Sequence, residues 1–239
     1  MDSTYFPSLK LNREFFNEFF KLNYAFDPSE LIVKCKNILE LYEKNIVCSI
    51  CEINADIEKY RCIYTDNTLN KCDSFNIALS DKYGEFIGYI HSKKINYYGN
   101  LYDFVASKEK FINDYILLIE KYLMEKCYFN DSIKSLYKSI KGQLGKLKYN
   151  CSPTIIDLNP LNFLYDKFEN IVSIVNIENL VIAPPELELV LWEKELGEKA
   201  FKNFIKGYEL NSKFDFSYWD AFKFITSTFM YNRKSDIKR

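Results

Sequence analysis

Between Thr154 and Asn179 the chain reads TIIDLNPLNFLYDKFENIVSIVNIEN: three short apolar runs, split first by a polar loop and then by a polar turn. Runs this short, rich in Ile, Val, Phe and Tyr and bounded by Asn, Asp and Pro, predict β segments rather than helix. Strand is expected at Thr154–Ile156, a loop at 157–162 and strand again at Phe163–Tyr165. A turn at Lys167–Asn170 then brings Ile171–Ile174 back to pair with the second strand. On both sides of this segment the apolar period becomes that of helices, so the chain is expected to be α+β.

Upstream, Phe15, Phe16, Phe19 and Phe20 recur at helical spacing in REFFNEFFKLNYAF, as a core-facing stripe does. Asp27-Pro28 opens a second helical pattern, DPSELIVKCKNILELYEKN. Two strand-like runs follow, IVCSICEI and YRCIYTD, and the polar stretch NTLNKCDSFN reads as a connector between lobes. Ser80 is placed as an N-cap, before a stripe of Tyr83, Phe86, Ile87 and Ile90 that ends at His91. The strongest helical pattern is DFVASKEKFINDYILLIEKYLMEK, with Phe104, Phe111, Tyr115, Leu118 and Tyr122 in phase. DSIKSLYKSIKGQLGKL gives another, with Asp131 as its candidate cap, and two more are expected after Pro184-Pro185. This layout predicts two lobes: residues 1–75 form a reduced N-terminal lobe and residues 76–239 a mostly helical C-terminal lobe.

Several function classes are excluded at this level. Lys and Arg (32) balance Asp and Glu (33), which leaves no global attraction for nucleic acid or for an anionic membrane. No apolar run approaches the roughly 18–20 residues that cross a bilayer. MDSTYFPSLKLNREFF lacks the pattern of a secretory signal, so a cytoplasmic location is expected. The seven cysteines are odd in number and scattered, as free thiols in a reducing compartment are. Cys48 and Cys51 form one C-x-x-C without the second pair that a structural zinc requires, so no zinc is expected. His91 is the only histidine, and at the end of an apolar stripe it reads as a packed or capping residue.

Asp157 and Asn162 carry the candidate chemistry. In kinase-type phosphotransferases an Asp that orients the hydroxyl nucleophile is followed five residues later by an Asn that holds a metal ion. The same spacing occurs here, with a strand on either side and a third strand ending near Asn176. The glycines argue the other way. All seven lie at Gly84 or later, so no glycine-rich loop that could approach a phosphate precedes them.

IIDLNPLNFLYD, then SIVNIEN, then APPELELVLW together resemble the catalytic segment of the aminoglycoside phosphotransferase and choline kinase superfamily, whose fold is protein-kinase-like. YGEFIGYIHS is similar to the helix that in this family ends in Leu-His-Ser, and FKNFIKGYEL to its C-terminal segment. The resemblance covers roughly Ser80 to Tyr231. It implies that Asp157 stands at the catalytic Asp, Asn162 at the metal-binding Asn and Asn176 at the metal-binding Asp, with ATP and magnesium as cofactors. Departures accompany it. The family pattern His-Gly-Asp-Leu-His-x-Gly-Asn has Ile155-Ile156 in place of His-Gly, Asn159 in place of the second His and Leu161 in place of the second Gly. The phosphate-pairing Lys has only Lys10 and Lys21 as candidates, by position.

Magnesium takes hard anionic oxygens and is held through one or two carboxylates plus substrate phosphates. Amides at Asn162 and Asn176 remove that charge, so binding of ATP and magnesium is expected to be weak or undetectable. The expected function is that of a degenerate, pseudokinase-like member acting as a binding or partner subunit, in homo- or hetero-oligomers, in a small-molecule or peptide-modifying pathway. The alternative is an active small-molecule phosphotransferase with Asp157 as base and Asp166 or Glu178 recruited to the metal. A third reading is an unrelated α+β binding protein in which Asp157 and Asn162 only stabilise a turn.

Overall fold

The computed structural model describes residues 12–22, 70–100, 104–124, 129–174 and 180–230. The helix expected from Pro28, the runs holding Cys48, Cys51 and Cys62, and the positions of Asn176 and Glu178 lie outside them.

Helix α1 spans Arg13–Phe20 and is capped by Asn12, whose side chain accepts the Phe15 N–H. All four phenylalanines of the stripe are buried. They pack among Tyr98, Phe111, Tyr115, Tyr122, Phe129 and Phe229, mostly edge to face, the arrangement aromatic quadrupoles prefer. α1 therefore docks on the helical part of the molecule.

Helix α2, Ser80–His91, buries Tyr83, Ile87, Ile90 and His91 as the stripe predicts. Ser80 is not its side-chain cap: Leu79 holds the N-cap position, and Ser80 closes a short 3-10 turn over Ile77–Leu79 whose cap is Asn76. The stretch expected as one helix from Phe104 divides. Phe104–Ser107 is a strand (β2) paired with Tyr97–Asn100 (β1), and α3 runs only from Phe111 to Met124. Phe104 lies in phase with α3, but cross-strand pairing with β1 overrides the local period. α4, Asp131–Leu144, is capped by Asn130 rather than by Asp131; the Asn130 side chain accepts the Ile133 N–H.

The hairpin segment folds as its pattern requires. β3 is Ser152–Ile155, β4 is Phe163–Tyr165 and β5 is Ile171–Ile174, with β4 and β5 antiparallel. A strand not foreseen, β6 at Leu180–Ala183, pairs with both β3 and β1 to complete a four-stranded antiparallel sheet in the order β2-β1-β6-β3.

After Pro184-Pro185 come α5, Glu186–Tyr208, and α6, Trp219–Phe229. α5 kinks at Gly197, where φ is 73°. The fold returns on itself there, and Trp192 stacks on Phe204 at 5.0 Å. One continuous buried cluster joins α1, α2, α5, α6 and both sheets. Among the described residues no helix is long and apolar enough to cross a membrane.

Candidate active site

Asp157 begins the loop between β3 and β4. The loop is self-bonded: the Asp157 carbonyl accepts the Asn159 N–H at 2.9 Å and the Asn162 side-chain amide at 2.9 Å. Asn159 accepts the Leu161 N–H on its side chain at 3.0 Å and the Asn162 N–H on its carbonyl at 2.8 Å, closing a 3-10 turn over Pro160–Asn162. The structure thus brings Asp157 and Asn162 together as the spacing predicts. Asn162 is buried and directs its amide nitrogen to the loop backbone.

The loop is anchored from below by Glu188, in the first turns of α5 and fully buried. Glu188 Oε2 accepts the Ile155 N–H at 2.7 Å and lies 3.0 Å from His91 Nε2; Oε1 accepts the Trp192 indole N–H at 3.0 Å. His91 Nδ1 in turn lies 3.3 Å from the Tyr208 hydroxyl. His91 is packed within the core, as its place in the stripe predicts. Its partner Glu188 was not evident in the sequence; the only signal is a single Glu inside the apolar run LELVLW.

Above the loop, Arg13 of α1 places Nη2 3.8 Å from Asp157 Oδ2. The Asp157 side chain is 29% exposed and that of Arg13 is 48% exposed. Burial raises the Asp157 carboxyl above its ordinary value, and the Arg13 guanidinium opposes the shift without cancelling it. Arg13 was also missed in the sequence. Its one signal was a cation in the first turn of a helix, where the macrodipole disfavours it.

Other candidates lie apart from this arrangement. Lys21 caps the far end of α1 in a left-handed conformation, a helix length of about 12 Å from Arg13. Asp166 stabilises the β4–β5 turn: Oδ1 accepts the Phe168 and Asn170 N–H groups at 2.8 and 2.9 Å, and Oδ2 the Asn170 side chain at 3.0 Å. Burial raises its carboxyl, but these bonds outweigh that and hold it below the ordinary range. Cys72 and Cys151 are free thiols. Among the described residues no group of three or more His, Cys, Asp or Glu side chains could hold a metal ion.

No protein-family model and no curated protein sequence matches the chain. Among solved structures, the choline kinase LicA from Streptococcus pneumoniae is similar at a TM-score of 0.56 and 15% identity, covering 90% of this chain and 76% of that one. The fold is protein-kinase-like. LicA in complex with AMP gives the same result at a TM-score of 0.52 and 13% identity, over 93% of this chain and 75% of that one. The architecture is therefore α+β, two-lobed and protein-kinase-like, with a small β-sheet lobe and a large helical lobe. The loop bearing Asp157 and Asn162 follows β3 within that fold.

Proposed function

We propose that the protein is a degenerate kinase-fold protein that works by binding, as a partner subunit in a cytoplasmic small-molecule or peptide-modifying pathway, and not by phosphoryl transfer. The observation that carries this reading is the state of Asp157, whose carboxylate faces a guanidinium. Phosphoryl transfer depends almost wholly on positioning and electrostatic stabilisation by metal ions and phosphate-binding groups. A glycine-free stretch before Gly84 and an amide at Asn176 both work against that. ATP and magnesium are accordingly weak ligands or none.

A thermal-shift titration with ATP, with and without magnesium, tests this. The expected result is no magnesium-dependent stabilisation; a saturable, magnesium-dependent rise in Tm overturns the reading.

The second reading, an active phosphotransferase acting on a hydroxyl with Asp157 as base, draws support from the raised Asp157 carboxyl. Such a shift moves a carboxylate toward the basicity that proton abstraction uses. On that reading Asn162, with Glu178 recruited beside it, would hold the metal, since both Asp166 oxygens are bonded within the β4–β5 turn.

A further inference from the structure

We propose that Arg13 keeps divalent cations out of this loop, its guanidinium neutralising the Asp157 carboxylate. The inference rests on the kinase-fold, non-catalytic reading of the same site and assigns a specific residue as its cause.

Two rigid elements set the Arg13–Asp157 approach. On one side, α1 is fixed along its whole length. The Asn12 N–H donates to the Phe229 carbonyl at 2.6 Å, and the Asn100 side chain donates to the carbonyls of Phe20 and Lys21 at 3.0 and 3.2 Å. Glu18 accepts from Lys121 at 2.6 Å and from the Tyr122 hydroxyl at 2.5 Å, and Phe15, Phe16, Phe19 and Phe20 are buried beneath. On the other side, the Glu188 bond to Ile155 holds the strand that ends two residues before Asp157. The backbone at both ends of the pair is therefore fixed, which keeps Arg13 within reach of Asp157.

The chemistry follows from charge. Asp157 carries the one negative charge of the loop 157–162, and a guanidinium beside it both neutralises that charge and repels a divalent cation. Stability alone does not account for the pair, because an ion pair this exposed contributes about 1 kcal/mol at most.

Selective broadening by Mn2+ of the backbone amide NMR signals of Asp157, Asn159 and Asn162 reads cation entry directly, without turnover. The comparison uses the full chain as wild type, Arg13→Lys, Arg13→Gln and Arg13→Glu. Wild type and Arg13→Lys should show no selective broadening. Arg13→Gln should gain it, with apparent affinity tighter by about tenfold or more, and Arg13→Glu more again. Asp157→Ala added to Arg13→Gln should abolish the gain. Arg13 is half exposed at the start of α1, so these variants should fold, and the four-member charge order does not depend on any one of them. If Arg13→Gln and Arg13→Glu stay as unbroadened as wild type, this inference fails and the non-catalytic reading stands. If wild type already broadens at these amides, both fail.

Discussion

His91 of α2 and Glu188 of α5 meet at 3.0 Å in a fully buried position, and the same Glu188 oxygen accepts the Ile155 N–H at 2.7 Å. One carboxyl group thus ties two helices to the strand that leads into the Asp157 loop. Glu188→Ala would leave the Ile155 N–H and the Trp192 indole N–H buried without acceptors, at about 1–3 kcal/mol each. The expected loss in a urea unfolding experiment is about 3–5 kcal/mol, with faster amide exchange from Ile155 to Asn162. A loss below about 1 kcal/mol would mean that the anchor is not what holds the loop.

How α2 and α5 come so close is a matter of three glycines, Gly84, Gly88 and Gly207. A Cβ at Gly84 would land on the Phe204 carbonyl oxygen, and one at Gly207 on the Asp81 carbonyl oxygen. Backbone cannot yield as a side-chain tip can, so Gly84→Ala and Gly207→Ala should each cost about 3 kcal/mol or more. Gly142, exposed within α4, has open space around it, and Gly142→Ala should stabilise by about 0.5–1 kcal/mol. Thermal unfolding of the three variants measures this; equal effects at all three positions would contradict the close approach.

These relationships divide into those the sequence discloses and those it does not. The Phe15–Phe20 stripe and the β4–β5 hairpin were legible because their evidence is local: a period, and turn residues between apolar runs. β2 was hidden because Phe104 continues the phase of the helix after it, so only its pairing with β1 distinguishes it. β6 is a short apolar run whose partners lie elsewhere in the chain. Asp157 and Asn162 were legible through their spacing, while Arg13 and Glu188 were not, because each acts on a residue far away in sequence. Glu188 reaches His91 across 97 positions and Ile155 across 33.

Glu186, at the start of α5, gives the fold a pH dependence of definite sign. Burial pushes its carboxyl from an ordinary 4.5 up to about 7, and its Oε2 is buried without a hydrogen-bond partner. A carboxyl whose value is raised in the folded state contributes stability in full below about 4.5 and loses it as pH rises through about 7. Glu186→Gln, which mimics the protonated form, should flatten this slope and exceed wild type at pH above 7 by on the order of 2–3 kcal/mol. Parallel stability–pH curves for the two proteins would show that Glu186 is solvated.

α1 separates its structural and site roles along its length. Phe19 touches Tyr98, Phe111, Tyr115 and Phe229 with ring centroids 5.2–6.1 Å apart. Phe19→Ala should cost about 3–5 kcal/mol, the range for deleting a buried aromatic ring. Arg13→Gln should cost about 1 kcal/mol at most. Denaturant unfolding distinguishes them; a large loss for Arg13→Gln would make the ion pair part of the scaffold.

The proposed state is a kinase fold without phosphoryl transfer. Magnesium-dependent ATP consumption by the purified full chain, wild type against Asp157→Ala, tests that most directly, with small-molecule hydroxyl acceptors supplied and both proteins checked for folding. The predicted result is that wild type consumes no more ATP than Asp157→Ala. ATP consumption by wild type that falls about a hundredfold or more on Asp157→Ala, the scale of a lost general base, would contradict it and establish an active phosphotransferase.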